Sequence, residues 1–307
     1  MTRRLRFTKL DVFTSTPFVG NPLAIVHVPP TVQLSQAEKQ LVAREFNLSE
    51  TVFLHEPDGA AAAPPAATVI DIFTPTEELP FAGHPTIGAG FHLLSRAPHL
   101  ETATLRTKAG DIPVVRGAGP ASATAVRLRV PIDFKVHPSL AIPAVKDLQP
   151  HLAAGDYVNG AGAEACASIV KGMTFLLLAL ASEDALARLQ PYPTRLAIPD
   201  ARAVLGAWGV GFAGLYAFVE RADGGVRARM LDGPLEDPAT GSAASTLGGW
   251  LAQRRGPGVH RIEIVQGVEM GRRSEIGVRV DVGEDGVVRE IELEGAAVQV
   301  MEGVVDV

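Results

Sequence analysis

The order of predicted elements in the first half of this chain returns in its second half. In each half, strands lead to a polar loop, the loop leads to an apolar helix, and further strands follow. The interval from Phe73 to Gly110 spans 37 residues, and the interval from Met230 to Gly267 spans the same number. An internal repeat of this kind predicts two halves that share one fold and are related by a pseudo-twofold axis.

The length of the chain agrees with two halves, because 307 residues exceed what one hydrophobic core usually serves. The break between the halves falls near residues 134–138. We therefore predict a first domain over 1–133 and a second over 134–290. Residues 291–307 are expected to form a C-terminal strand that returns to the first half.

The helix that follows the first polar loop is predicted to begin near Thr86 and to lie buried at the centre of its half. Ile87, Phe91 and Leu94 share one face, and the small residues at 88–90 leave the flanks of the helix slim. A glycine-rich helix is unstable in isolation, so other elements are expected to wrap tightly around it. The second half repeats such a helix near Thr240.

Composition and charge exclude several classes of partner. The chain has 28 Lys and Arg against 34 Asp and Glu, and no basic stripe is interleaved with aromatic residues, which excludes nucleic acid as a partner. The longest apolar run, 175–181, is far shorter than the roughly 20 residues that span a bilayer. Because Lys9 and Asp11 interrupt the basic N-terminus before any apolar signal region, we expect a cytoplasmic protein without a membrane segment.

The sequence predicts neither a metal nor a cofactor. Cys166 is the one cysteine, which excludes an internal disulfide and any site built from several cysteines. The eight histidines form no His-Glu-x-x-His pattern, and no G-x-G-x-x-G turn follows a strand.

Both polar loops lead into a helix, so both offer unpaired backbone N–H groups and the positive end of a helix dipole. If equivalent loops form opposite walls of one cleft, they suit a small substrate that carries a carboxylate. The residues expected to bind this substrate are Gly83, Pro85, Thr86, Thr240 and Gly241.

Four residues in or near these loops are candidates for chemistry, although each also has a structural interpretation. His84 carries a proton near neutral pH or simply holds a turn. Asp237 and Ser242 bind substrate, or form a turn and a helix cap. Glu50 begins a strand where apolar or β-branched residues are preferred. It is therefore either an acid held in position for catalysis or a solvent-facing residue at the end of a strand.

Five segments taken together resemble the phenazine-biosynthesis PhzF-like family. They occur in order over essentially the whole chain, so coincidence is improbable. The segments are Gly20-Asn21-Pro22, Ser49-Glu50-Thr51, Phe73-Thr74-Pro75 with Glu78, Gly83-His84-Pro85-Thr86 and Glu236-Asp237-Pro238-Ala239-Thr240-Gly241-Ser242.

The resemblance implies an α+β fold of the diaminopimelate epimerase type, with two pseudo-symmetric halves that each wrap a mostly antiparallel sheet or barrel around a central helix. It further implies a homodimeric isomerase that works without a cofactor. In this family a glutamate moves a proton between two carbons of the substrate, and Glu50 matches that glutamate. His84, Asp237 and Ser242 match the polar residues that accompany it.

Burial in a water-poor cleft is expected to raise the pKa of Glu50 towards the range where general acid–base catalysis is efficient. The related epimerases and proline racemases use a pair of cysteines, whereas Cys166 lies outside both loops, so an isomerase is preferred over a racemase. Two alternatives stay open. One is an epimerase with Glu50 and a second base such as His84, and the other is a non-catalytic protein that binds a metabolite.

Overall fold

The computed structural model describes residues 3–57, 67–117 and 125–307. The alanine- and proline-rich tract at 59–67, which the sequence predicts to be a loop, lies outside these ranges except for Ala67. The described strands are β1 Arg4–Val12, β2 Asn21–Val28, β3 Thr51–His55, β4 Thr68–Phe73, β5 Glu78–Leu79, β6 Thr102–Thr107, β7 Gly110–Arg116, β8 Ala125–Arg129, β9 Lys135–Leu140, β10 Glu164–Val170, β11 Met173–Ala179, β12 Phe212–Glu220, β13 Val226–Asp232, β14 Leu235–Asp237, β15 Gly258–Gln266, β16 Ser274–Val282 and β17 Val288–Asp306. The helices are α1 Gln36–Phe46, α2 Gly83–Arg96, α3 Pro143–Asp147, α4 Glu183–Arg188, α5 Ala201–Leu205 and α6 Gly241–Arg255, with short 3-10 turns at Ala154–Asp156 and Gly206–Trp208. Within these ranges, no helix has the length and apolar character needed to cross a bilayer.

The chain folds into two compact units. The first unit contains Met1–Arg129 and Glu294–Val307, and the second contains Val130–Leu293. The first unit therefore takes its last strand from the end of β17.

Residues 130–133 belong to the second unit because their backbone bonds there. The N–H of Val130 donates to the carbonyl of Ile291 at 2.9 Å, and the N–H of Asp133 donates to the carbonyl of Ile169 at 2.9 Å. The segment that follows is not a linker, since β9 pairs antiparallel with β10. The unit boundary thus lies slightly earlier than the sequence pattern places it.

The first unit is a barrel of mostly antiparallel strands. Antiparallel pairs join β1 to β2, β3 to β4, β6 to β7 and β7 to β8. Parallel pairs join β2 to β3 and β4 to β6. Strand β17 pairs with both β1 and β8, which closes a ring of eight strands. The central helix α2 contacts β1, β2, β3, β6, β7 and β8.

The second unit repeats this order of pairings. Antiparallel pairs join β10 to β11, β12 to β13 and β15 to β16. Parallel pairs join β11 to β12 and β13 to β15, and a short antiparallel strand, β14 in this unit and β5 in the first, precedes each central helix. Helix α6 contacts β10, β11, β15 and β16. The predicted α+β class and the predicted repeat of one fold are both confirmed.

Both central helices are wrapped closely because they carry glycine at the points of contact. A Cβ on Gly90 of α2 would lie 2.5 Å from Cγ1 of Val114 in β7. A Cβ on Gly248 of α6 would lie 2.7 Å from Cγ1 of Val278 in β16. Each glycine stands seven positions after the first residue of its helix. The expectation that small residues allow close approach is therefore confirmed in both units.

Candidate active site

Glu50 and His84 meet in the first unit. Glu50 lies directly before β3, which begins at Thr51. The sequence predicts that this strand begins one residue earlier, at Glu50 itself. Its side chain is 18% exposed, and the side chain of His84 is 4% exposed. The Nδ1 atom of His84 lies 2.9 Å from the Oε2 atom of Glu50. Two of the four candidates for chemistry thus form a direct contact.

His84 is held in the first turn of α2, because this helix begins at Gly83 and not near Thr86 as the sequence pattern predicts. Pro85 is tolerated as the third helical residue, since the first N–H groups of a helix have no partner within it. The hydroxyl of Thr86 donates to the carbonyl of Ala82 at 2.7 Å and fixes the start of the helix.

The pKa of Glu50 lies below its ordinary value. Burial raises this pKa, but the hydrogen bond to His84, the charge of His84 and a hydrogen bond from Ser49 together outweigh burial. Ser49 is itself tied to Asn21, whose Oδ1 lies 3.3 Å from the Ser49 hydroxyl. The expectation of a raised pKa is therefore wrong, because it considered burial without the histidine beside the carboxylate.

The second ring nitrogen of His84 is buried without a partner. Its Nε2 atom forms no hydrogen bond within the described residues, and the same holds for the buried hydroxyl of Thr51. Buried polar atoms in proteins are nearly always hydrogen-bonded, so an unpaired one beside a carboxylate needs an explanation. A bound molecule with a polar atom at this position would provide the missing partner.

The N-terminus of α2 has no side-chain cap. Ala82 stands at the capping position and supplies no side-chain oxygen. The N–H groups of Gly83 and His84 come first in the helix, so they have no acceptor within it and present the positive end of its dipole. This end of α2 is suited to an anionic group that lies near Glu50.

Asp237 and Thr240 meet in the second unit. Asp237 ends β14, and Thr240 stands at the capping position of α6. The Thr240 hydroxyl does not cap the helix; it donates to Oδ2 of Asp237. Gln266 contacts both residues, with Nε2 lying 2.7 Å from the Asp237 carbonyl oxygen and 3.2 Å from the Thr240 hydroxyl. The sequence patterns do not identify Gln266 as a site residue. Its position directly before Gly267, which ends the repeat interval in the second half, is the signal that could have identified it.

Ser242 occupies the position in α6 that His84 occupies in α2, the second residue of the helix. Its carbonyl accepts a hydrogen bond from the Thr246 hydroxyl at 2.7 Å, and its own half-buried hydroxyl bonds to nothing that the structure describes. Gly241 is buried as the first helical residue. Each unit thus presents one polar side chain at the start of its central helix.

Cys166 has no place in either set of residues. It lies in β10 within the hydrophobic core of the second unit and is fully buried. Burial raises the pKa of its thiol to about 12, so the thiolate form that a proton-abstracting cysteine needs is absent at neutral pH. Across the ranges that the structure describes, no three His, Cys, Asp or Glu residues are grouped as metal ligands would be.

Comparison with known proteins gives one consistent result. The family described as phenazine biosynthesis-like protein matches residues 10–303. An uncharacterized isomerase of Pasteurella multocida is 34% identical over 277 residues, which cover 90% of this chain and 86% of that protein. The trans-2,3-dihydro-3-hydroxyanthranilate isomerase of Pseudomonas aeruginosa is 33% identical over 312 residues, which cover 95% of this chain and 96% of that enzyme.

A solved structure shares the fold. The Bacillus anthracis phenazine biosynthesis protein of the PhzF family superposes with a TM-score of 0.77 at 22% sequence identity, over 99% of each chain. At this identity the likeness shows the fold alone.

Proposed function

The chain belongs to the family of phenazine biosynthesis-like proteins and is an isomerase, and on this premise we propose that it shifts a proton within a small carboxylate-bearing substrate without a cofactor. Glu50 takes the proton from one carbon and returns it to another. The observation that carries this proposal is the 2.9 Å contact between Glu50 and His84.

The proposed step needs one base that becomes an acid. The Glu50 carboxylate accepts the proton, and the electrons of the broken C–H bond form a new double bond. The electrons of the original double bond then take the proton from Glu50 at the far carbon, so that no atom or electron is gained or lost. The lowered pKa of Glu50 keeps the carboxylate ionised at neutral pH, which is the form that can accept a proton.

His84 is proposed to orient Glu50 and to stabilise its charge. One ring nitrogen faces the carboxylate, and the buried Nε2 atom, which has no partner in the part of the chain that the structure describes, can bond to the substrate. Positioned groups of this kind raise the rate of proton transfer because they need no reorganisation during the reaction.

The uncapped start of α2 supports a substrate with a carboxylate, which we propose binds to the N–H groups of Gly83 and His84. Pro85 and Thr86 complete that turn. On the second unit, we propose that Asp237 and Ser242 contact the substrate, with Thr240 and Gly241 beside them. Since a relative is named for trans-2,3-dihydro-3-hydroxyanthranilate, we propose a substrate of that class, an unsaturated hydroxy or amino acid.

Isotope exchange tests this proposal. Trans-2,3-dihydro-3-hydroxyanthranilate and a panel of small unsaturated carboxylic acids are incubated with the protein in deuterated water and followed by NMR. We expect a product whose double bond has moved, with deuterium at the carbon that receives the proton to the extent that the proton held by Glu50 exchanges with solvent. Label at a carbon whose configuration inverts would identify an epimerase instead. An acid that binds but is neither isomerised nor labelled would indicate a binding protein.

The homodimer implied by the resemblance and the cytoplasmic location expected from the sequence are part of the same proposal. Sedimentation at micromolar concentration checks the homodimer, and a monomer under these conditions would remove it.

A further inference from the structure

Gln266 is completely buried at the end of β15. The next residue, Gly267, has a φ of +75°, and a Cβ at that position would lie 2.6 Å from the carbonyl oxygen of Pro238. A side chain is excluded there, so the backbone at 266–267 packs directly against the loop that follows Asp237. Gln266 is thereby brought under this loop.

The amide of Gln266 uses both of its ends. Its Nε2 atom donates to the Asp237 carbonyl at 2.7 Å and to the Thr240 hydroxyl at 3.2 Å. Its Oε1 atom accepts from the Tyr216 hydroxyl at 3.0 Å and from the Thr240 N–H at 3.3 Å. Exchanging the two ends would set the amide NH₂ against the Thr240 N–H and the amide oxygen against the Asp237 carbonyl. The surrounding groups therefore permit one orientation of the amide.

This orientation of the Gln266 amide fixes which group is the donor and which is the acceptor in the neighbouring hydrogen bonds. The Thr240 hydroxyl receives a hydrogen from Gln266 and has one hydrogen of its own, which it donates to Oδ2 of Asp237. Tyr216 is fully buried, and burial raises the pKa of its hydroxyl, so it remains a donor to Gln266. The chain of donors runs from Tyr216 through Gln266 and Thr240, and it ends on the carboxylate of Asp237.

We propose that Gln266 is a positioning residue for Asp237, holding this carboxylate in one place and in its charged, hydrogen-bond-accepting form through Thr240. The inference rests on the proposed function, in which Asp237 contacts the substrate. Gln266 itself is buried and acts through the loop.

The test is a double-mutant cycle between Gln266→Leu and Asp237→Asn, with isomerase turnover and its pH dependence as readouts. We expect Gln266→Leu to lower kcat/KM at least tenfold. In the Asp237→Asn background the same change should have less than about a twofold effect, because the group that Gln266 positions is already lost. Gln253→Leu is the matched control, since Gln253 is exposed on α6 and, among the described residues, its side chain bonds only to the Gly286 carbonyl.

Thr240→Val breaks the same chain at the next atom and replaces Gln266→Leu if that variant does not fold. Thr240→Val removes the donor to the Asp237 carboxylate, and Gln266→Leu frees the Thr240 hydroxyl to turn away from it. In both variants the acid limb of the kcat/KM profile should move to higher pH, because a carboxylate with a weaker or missing donor is protonated more easily. Effects that multiply in the double mutant, or an Asp237→Asn variant with full activity beside an impaired Gln266→Leu, would overturn the inference. Glu50→Gln, measured in parallel, reports separately on the proposed function, because Glu50 has no part in this chain of donors.

Discussion

Glu50 and His84 lie 2.9 Å apart, Oε2 to Nδ1, although 34 positions separate them in the sequence. The contact joins the residue before a barrel strand to the first turn of the central helix. It also decides the charge state of Glu50, because the histidine reverses the effect that burial alone has on the pKa of this carboxyl group. The proposed proton shift depends on this pair.

Replacing His84 by leucine should move the acid limb of the pH–rate profile upwards. Without His84, only the hydrogen bond from Ser49 opposes burial, so the pKa of Glu50 rises and the base is protonated over a wider range of pH. We therefore expect the acid limb of kcat/KM to lie at higher pH in the variant than in the original protein. His99→Leu, an exposed histidine of the first unit, is the control. An acid limb that stays where it is in His84→Leu would contradict this role.

Replacing Cys166 by alanine should leave activity within about twofold of the original value. The thiol is buried in a core and its raised pKa keeps it protonated, so it neither gives nor takes a proton in the reaction. Turnover and thermal unfolding are measured together. Loss of turnover in a variant whose thermal stability is unchanged would point to a thiol-dependent mechanism.

His92 should make the first unit sensitive to acid. Burial lowers the pKa of His92 to about 3, and the charges of Arg96, His27 and Arg6 act in the same direction. Below the ordinary histidine pKa, the unfolded chain therefore binds a proton that the folded chain does not. Stability from this source is present above about pH 6.5 and falls by about 1.4 kcal/mol for each pH unit below it.

Denaturant unfolding between pH 4.5 and 7.5 checks this expectation. The free energy of unfolding should depend less steeply on pH in His92→Leu than in the original protein. His99→Leu should keep the original slope. Equal slopes in all three proteins would show that His92 is protonated in the folded state.

Substituting alanine for Gly90 should destabilise the first unit. The new Cβ would lie 2.5 Å from Cγ1 of Val114, and a β-branched side chain has little freedom to move aside. Overpacking costs about 1–3 kcal/mol, and the better helix propensity of alanine offsets roughly 1 kcal/mol of this. Gly155→Ala is the control, because no described atom beyond its own chain neighbours lies within 4 Å of its added Cβ. Equal unfolding free energies for the two variants would contradict close packing at Gly90.

Much of the fold follows from sequence because the repeat is visible in the order of elements. The small residues at 88–90 indicate a tightly wrapped helix, and the contact of Gly90 with Val114 is of this kind. The sequence pattern does not correctly predict the residue at which that helix begins. A histidine and a proline in the first turn are typical of a loop, yet the missing N–H of Pro85 costs nothing at a helix start.

The candidate site can likewise be predicted from the sequence only in part. Motif residues such as Glu50 and His84 can be identified from sequence, but their contact depends on how a strand end and a helix start are packed together. The lowered pKa of Glu50 follows only from that contact. Gln266 belongs to none of the sequence motifs. Its four hydrogen bonds depend on the position of β15 beneath the loop that follows Asp237.

The central claim is that Glu50 moves the proton, and turnover by Glu50→Gln tests it most directly. Glutamine keeps the size and hydrogen bonding of the side chain but cannot accept a proton at neutral pH. Glu45→Gln, an exposed glutamate of α1, is the matched control and should behave as the original protein. Substrate binding is measured by calorimetry on the same samples. We predict that Glu50→Gln loses at least about 100-fold in kcat while its affinity for substrate stays within a few-fold, in line with the usual contribution of a general base. Undiminished turnover and deuterium incorporation by Glu50→Gln would contradict the mechanism.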